Sequence, residues 1–357
     1  MTDFVRIVYK DENISQPFPC HHSQLSTEML VSRVLTEYQI GSIVECRLLS
    51  PRLNDTYIVR TNDDQYILRV YQAQRGTGRT WRTITDILYE IDLLLHLDHK
   101  GLAVSTPIAR KDGLFIQTVL APEGIRPIVL FSYAPGTLLI PPELTDESSA
   151  LYGYAMAEIH AATDDFVSSH ARFQLDLSFL LDTSLQTIQP VLAHRIEDWK
   201  YLLHLSHSLK SRIALLPASA LDMGPCHGDA HGSNANITDE KLLTFFDFDA
   251  CGYGYRAYDL AGFCWAVAML KSRPDWSHQK SEDLLMAYMK GYLKRRELSE
   301  LTIQSIPLFV AIRHFWFMSL NIETWDYYGW EEQGDSFFDE VLAFLQEWVE
   351  EYKIEEA

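Results

Sequence analysis

The 357-residue chain contains no run of 18 uncharged apolar residues, and its start, MTDFVRIVYKDE, lacks the charged-then-apolar order of a secretion signal. Neither a membrane span nor export is expected. Cysteine is scarce: Cys20, Cys46, Cys226, Cys251 and Cys264 form no paired motif, which argues against a disulfide framework and fits a reducing cytoplasm. Basic residues are few beside acidic ones, 30 Lys and Arg against 49 Asp and Glu. The formal charge of −19 argues against nucleic acid as a partner and suits a cationic small substrate. There is no G-x-S-x-G elbow, internal repeat, low-complexity tract or Gly/Ser linker, and nothing that sets an oligomeric state. What is present is 47% hydrophobic content, ample for the core of one large domain or two lobes.

Periodicity divides the chain into a strand-rich first part and a helix-rich remainder, an α+β order. Residues 1–25, with Pro17 and Pro19, read as an N-terminal extension. Ser26 to Ile40 has a helical pattern stopped by Gly41. Ile43 to Leu49, Thr56 to Thr61 and Gln65 to Tyr71 read as strands, the last two joined by the turn Asn62-Asp63-Asp64. After a basic loop with Arg75, Arg79 and Arg82, the residues Ile84, Ile87, Leu88, Ile91, Leu94 and Leu95 mark one buried helix face. Glu90 projects about 40° outside that stripe, where it can reach a cation in a cleft. Strands at Gly113 to Val119 and Ile125 to Ser132 end in Tyr133-Ala134-Pro135-Gly136, a break suited to passage between lobes. The expected division is an N-lobe over 26–131, a linker over 132–137 and a C-lobe over 138–357. Helices are expected over Leu151 to Ala162, Phe179 to Gln189, Glu197 to Leu216, Glu282 to Lys294, Ile303 to Leu320 and Asp335 to Tyr352.

The chemistry is densest at 226–260, CHGDAHGSNANITDEKLLTFFDFDACGYGYRAYDL. His227-Gly228-Asp229 is followed, after four intervening residues, by Asn234, and the strand-like Lys241 to Phe246 ends in Asp247. Kinase-type phosphotransferases set out an Asp base, an Asn metal ligand and an Asp metal ligand in that order. Asp229 suits the carboxylate that accepts a proton from the acceptor hydroxyl. Asn234 and Asp247 supply the few hard oxygens that Mg²⁺ takes from protein.

HGDAHGSN followed by FFDFDACGYGYRAYDLA resembles the aminoglycoside phosphotransferase and choline kinase-like family, whose pattern is H-G-D-x-H-x-x-N and then an apolar pair, Asp and an aromatic. That family includes type II homoserine kinases and a stress-response kinase. The resemblance implies a two-lobed protein-kinase-like fold, with a β-rich N-lobe and a mostly helical C-lobe, and ATP or GTP with Mg²⁺ as cofactors. It implies that Arg69, where the family usually has Lys, holds phosphate and pairs with Glu90. The secure charge and two-pronged fork of Arg suit that role. It also places the nucleotide base on the backbone of Ser132, Tyr133 and Ala134. The loop from Ser50 to Thr56 has no glycine, unlike the G-x-G-x-x-G of protein kinases; the family often carries Asn there, which makes Asn54 and Thr56 the phosphate-side candidates.

Other readings of the same residues belong to other classes. His227 and His231, four apart beside Cys226, raise a zinc site, but Gly228 and Gly232 favour a loop, so both are expected to brace that loop. Asp249 stands where D-F-G has its Gly and either touches the metal shell or caps the loop. Asp259 opens an apolar helix and is expected to satisfy free N–H groups there. His160 is expected to be a satisfied core histidine. Arg313 falls in the middle of an apolar face made by Ile306, Phe309, Val310, Phe317 and Leu320, and needs a carboxylate or bound anion as partner. Glu323, Trp325 and Asp326 follow, and aromatic faces among carboxylates suit an ammonium, so these four are the acceptor candidates. The function expected is phosphorylation of a hydroxyl on an amino alcohol, hydroxylated amino acid or aminoglycoside. The alternatives are a stress-response type protein Ser/Thr kinase and a nucleotide-binding pseudokinase. Against the first stand the eleven residues between Asp247 and Asp259 and the lack of Ala-Pro-Glu; against the second, the presence of all three core residues.

Overall fold

The computed structural model describes residues 20–51, 53–73, 82–217, 221–328 and 334–355. Strands β1 (Ile43–Pro51), β2 (Asp55–Thr61), β3 (Gln65–Val70), β4 (Gln117–Ala121) and β5 (Gly124–Ser132) form one antiparallel sheet in the order β1-β2-β3-β5-β4. The two-residue period of a strand sorts its side chains. Tyr57, Val59, Leu68, Val70, Ile128 and Leu130 pack on Leu30, Val34, Leu35 and Tyr38, which precede the sheet. Tyr71, Val129 and Phe131 join the main core with Ile87, Ile91 and Leu94, and Arg69 points to the same side.

Two expectations in this part are corrected. Ser26 to Ile40 is not one helix but α1 (Thr27–Met29), a π turn (Leu30–Val34) and a 3₁₀ turn (Leu35–Glu37). The wider and then tighter winding brings Leu30, Val34, Leu35 and Tyr38 onto the sheet together. β4 starts at Gln117 rather than Gly113, because Gly113 takes φ +84° and closes a turn through its N–H to Arg110 O at 2.9 Å. The helix carrying Glu90 is α2 (Ile84–His99), begun by a capping box between Thr83 and Asp86.

The remainder is helical: α3 (Asp146–Ala162), α4 (Thr183–Ile188), α5 (Ile196–Ala214), α6 (Arg256–Met269), α7 (His278–Leu293), α8 (Glu300–Tyr328) and α9 (Asp335–Glu351). α8 is longer than its expected core, and Phe309, Val310, Ile312, Phe315 and Met318 make it a central helix. Its window Glu300–Thr324 has the length and mean hydropathy, 1.2, of a membrane-crossing segment, with 67% of it buried inside the structure. Two small sheets frame the acidic loops. One is ordered β10-β9-β6, from β6 (Thr137–Leu138), β9 (Ala235–Ile237) and β10 (Leu243–Phe245). The other is ordered β7-β11-β8, from β7 (Gln174–Leu175), β8 (Met223–Cys226) and β11 (Gly252–Tyr255). β10 is shorter than the expected Lys241 to Phe246 because Lys241, at φ +64°, still belongs to a turn closed by its N–H to Thr238 O.

Candidate active site

β8 delivers His227-Gly228-Asp229, and the chain turns at Gly228 with φ +81°, where a Cβ would collide with the Ala250 carbonyl. The loop is tied down from below. Asp259, in the first turn of α6, accepts from the His227 N–H at 2.6 Å and the Gly228 N–H at 2.8 Å. Its partners are thus N–H groups of the acidic loop and not, as expected, those of its own helix. His160 Nε2 lies 3.2 Å from the same carboxylate and its Nδ1 lies 2.8 Å from the Tyr292 hydroxyl, so His160 is a satisfied core histidine. Burial pushes the Asp259 carboxyl up, but His160, His227 and the Gly228 N–H outweigh it and hold it below the usual range. Burial lowers His227 and keeps it neutral; it donates from Nε2 to Phe246 O at 3.0 Å and accepts from the Asp229 N–H at 3.3 Å. One imidazole therefore joins the Asp229 loop to the Asp247 loop.

Asp229 is half-buried at 22% side-chain exposure. Its Oδ2 accepts from Asn234 Nδ2 at 3.0 Å, and its Oδ1 lies 3.3 Å from His231 Nε2 and accepts from Arg313 Nη2. Burial alone would raise this carboxyl; the charges of His231 and Arg313 reverse that and hold it well below the usual carboxylate range. Asn234 also donates to Asp229 O at 3.0 Å. Its nitrogen is thus committed, and among the described residues its side-chain oxygen carries no hydrogen bond.

Asp247 follows β10 in the left-handed region, φ 64° and ψ 56°, which an Asp tolerates better than most residues. The N–H of Phe246 donates to Asn234 O at 3.0 Å, so the two expected metal ligands lie on adjacent backbones. Arg69 reaches across with Nη2 to Asp247 Oδ1 at 3.0 Å and Nη1 to Glu90 Oε1 at 2.8 Å. Tyr71, two residues on, donates to Glu90 Oε2 at 2.9 Å. Glu90 is only 1% exposed, and burial pushes its carboxyl up against the opposing pull of Arg69. Arg69 and Glu90 thus form a buried ion pair.

The remaining sequence candidates divide. Thr56 is the cross-strand neighbour of Arg69, and Asn54 Nδ2 donates to Asp249 Oδ2 at 3.3 Å. Asp249 is a loop cap: Arg82 Nε lies 3.0 Å from its Oδ1 and donates to its carbonyl at 2.8 Å, and Arg172 donates to that carbonyl as well. In the linker, Ser132 is committed to residues 105–106, since its carbonyl accepts from Ser105 Oγ at 2.5 Å and its hydroxyl from the Thr106 N–H at 2.8 Å. Asn236 Nδ2 donates to Ala134 O at 2.7 Å. Among the described residues no hydrogen bond reaches the Ala134 N–H or the Tyr133 backbone. Glu323 accepts from Thr187 Oγ1 at 3.3 Å, beside a cleft lined by Phe173, Phe179, Trp316 and Leu320. The side chains of Trp325 and Asp326, and the residues Arg75 and Arg79, lie outside the described residues.

The donor set fits a hard cation. Asn234 offers an amide oxygen and Asp247 a second carboxylate oxygen, at 45% side-chain exposure. Mg²⁺ takes few protein oxygens and completes its octahedron with water and phosphate. Among the described residues no three His, Cys, Asp or Glu cluster as a self-sufficient metal cage. His231, expected to brace the loop, lies against Asp229 within it; sequence reasoning missed Tyr71 on Glu90 and Asn236 on the linker. Period-two alternation placed Tyr71 beside Arg69 and was the one available signal; the other contact bridges distant segments.

The chain belongs to the phosphotransferase enzyme family, whose sequence model matches residues 45–301. It is 35% identical over 338 residues to an uncharacterized protein of Deinococcus radiodurans, covering 95% of this chain and 94% of that one. It is 26% identical to a homoserine kinase of Xanthobacter autotrophicus, over 76% of this chain and 78% of the relative. Among solved structures it is similar to an amicoumacin kinase in complex with AMP-PNP, Ca²⁺ and amicoumacin, with TM-score 0.70 and 18% identity over 92% of this chain and 94% of that one. That likeness shows the fold: two-lobed, protein-kinase-like, with a β-rich first lobe and a helical second lobe. The protein is a phosphotransferase with an alcohol group as acceptor.

Proposed function

We propose that the protein transfers the γ-phosphoryl group of ATP or GTP, with Mg²⁺, to a hydroxyl of a small amine-bearing molecule: an amino alcohol, a hydroxylated amino acid or an aminoglycoside. The observation that carries this reading is the run of contacts that links Asp229 to Asn234, Asn234 to the Asp247 loop, and Asp247 to the Arg69–Glu90 pair. Bound nucleotide and Mg²⁺ supply the phosphoryl group and neutralise its charge. Arg69 holds the phosphates with its fork while Glu90 fixes its position, Asn54 and Thr56 line the phosphate side, and Asn234 and Asp247 hold the metal. The Tyr133 and Ala134 backbone receives the base. Asp229 would accept the hydrogen bond of the acceptor hydroxyl, aim its oxygen at phosphorus and take its proton as the new P–O bond forms and the bond from γ-phosphorus to the β-phosphate oxygen breaks, releasing ADP or GDP.

The division into 26–131, 132–137 and 138–357 follows, with nucleotide on the first part and acceptor on the last. Glu323 and Asp326 are the groups we assign to the acceptor ammonium, with Trp325 beside them; the net charge of −19 and a location in the cytoplasm suit such a substrate. The names of the kinases to which the chain is similar point the same way. The test is ADP or GDP release with Mg²⁺ and a panel of L-homoserine, 1-amino-2-propanol, choline and kanamycin, with products weighed by mass spectrometry. We expect one amine-bearing acceptor to gain a single phosphate. No turnover with any acceptor and either nucleotide overturns the reading.

A further inference from the structure

Arg313 lies midway along α8 at 2% exposure, within a face that is otherwise apolar. Burying a guanidinium is strongly unfavourable unless an anion meets it, and a methionine would fill a similar volume without that cost. Packing gives no reason for a cation there. Its faces are closed in by Trp265 at 5.0 Å, Trp316 at 5.4 Å and Tyr258 at 6.0 Å. Its Nε is buried with no hydrogen-bond partner among the described residues. Its strong contact is Nη2 to Asp229 Oδ1, and Nη1 lies 3.5 Å from Gly228 O, so both bonds end on one loop. The side chain is enclosed and directed at the expected base rather than open to an acceptor.

We propose that Arg313 is a positioning residue for phosphoryl transfer: it clamps Oδ1 of Asp229, so that Oδ2 is the oxygen presented to the acceptor hydroxyl. The proposal rests on the function proposed above. A carboxylate oxygen has two lone pairs. Arg313 donates to Oδ1 and His231 Nε2 stands 3.3 Å from it, so that oxygen faces two cationic-type groups, whereas on Oδ2 only Asn234 Nδ2 donates and a lone pair is left. A half-turn of the carboxylate only exchanges two equivalent oxygens, but any intermediate rotation pulls the paired oxygen off a guanidinium that three rings prevent from following. The role moves Arg313 from the acceptor candidates to the support of Asp229.

The test compares Arg313→Ala and Arg313→Lys with the unaltered protein. The acceptor is whichever member of the panel is phosphorylated or, if none is, water in basal nucleotide hydrolysis. We expect kcat of Arg313→Ala to fall by about 10²-fold, the usual effect of a small misplacement, with both KM values nearly unchanged. Millimolar guanidinium chloride should restore part of the rate by entering the cavity between Trp265, Trp316 and Tyr258, and Arg313→Lys should lie between the two. A raised acceptor KM at unchanged kcat overturns the proposal in favour of acceptor binding, and unaltered kinetics overturn it outright. A second measurement needs no turnover: urea unfolding of Arg313→Met, Asp229→Asn and the double variant should show less than additive effects. Strict additivity would remove the clamp, and a coupled pair in a protein without any nucleotide turnover would leave the clamp and remove the function.

Discussion

Two buried arginines meet the same cleft and are held in different ways. Arg69 spreads its fork over two carboxylates, Glu90 and Asp247, with Phe131 and Tyr71 at 5.0 and 5.7 Å from it. Arg313 has one carboxylate and a wall of three rings. Desolvation lowers the basicity of each, and the facing carboxylates more than reverse that. The difference lies in what the carboxylates have to do. Asp247 is nearly half-exposed and in the proposed reaction also serves the metal, so that reading makes half of the Arg69 contact exchangeable and leaves the other half to the buried Glu90. In the proposed reaction Asp229 meets the acceptor through its other oxygen, and the Arg313 contact stays in place. A strand residue at a cleft can serve as a contact that changes hands, and a residue midway along a packed helix can serve only as a fixed one.

The comparison breaks most severely at Asp229. Asp229→Asn should leave nucleotide affinity intact and lower kcat by about 10²- to 10⁴-fold, the range of a general base, in steady-state kinetics with the phosphorylated acceptor. Near-normal turnover would take Asp229 out of the mechanism. Next is Asp247→Ala, which removes a metal oxygen and one of the two anions on Arg69. Calorimetry should show Mg²⁺-dependent nucleotide binding weakened by at least about 10-fold, and Asn234→Ala should cost less because no charge is lost.

His314 follows Arg313 but faces the other way. It lies 2.8 Å from Val341 O, accepts from Trp265 Nε1 at 3.0 Å, and burial lowers it to about 4. A histidine whose folded pKa lies below its unfolded value adds its full stability above that value, near 6.5, and loses it as pH falls from there through about 4. Urea unfolding should therefore show a loss between pH 7 and pH 5 to which His314 contributes about 2 kcal/mol, and His314→Gln should reduce the loss by that amount. An unchanged slope in that variant would place the proton elsewhere.

The smallest effect concerns the other arginine. Arg69→Lys and Glu90→Gln should each raise the nucleotide KM, and the double variant should fall short of the sum by about 1 kcal/mol. Additive values would mean that the 2.8 Å contact contributes nothing to binding nucleotide.

Legibility in the sequence followed distance along the chain. α2 was readable from Ile84 to Leu95 because a helix repeats its apolar face within a few residues; the angular offset of Glu90 left it free to reach a cation, and the resemblance to the family named Arg69 as that cation. The Asp229, Asn234 and Asp247 group was readable because two loops and one short hairpin, β9–β10, hold it. Asp259 was recognised as structural but given the wrong N–H groups, since its partners lie 31 and 32 positions away across a turn that no local pattern describes. The α1 region was misjudged for the reverse reason: its local pattern is helical, and contact with the sheet rewound it.

What the sequence by itself determined is the α+β order, the identity of the acidic groups and the chemistry open to them, because those depend on residue type and on spacings shorter than one supersecondary unit. Tertiary structure alone decided that Arg313 would meet Asp229, 84 positions away, and that Arg69 would meet Asp247 at a separation of 178. A buried cation announces in sequence that it needs an anion, but every carboxylate in the chain is a candidate. Only the packing of α8 beneath the loop, with three rings closing the alternatives, selects one.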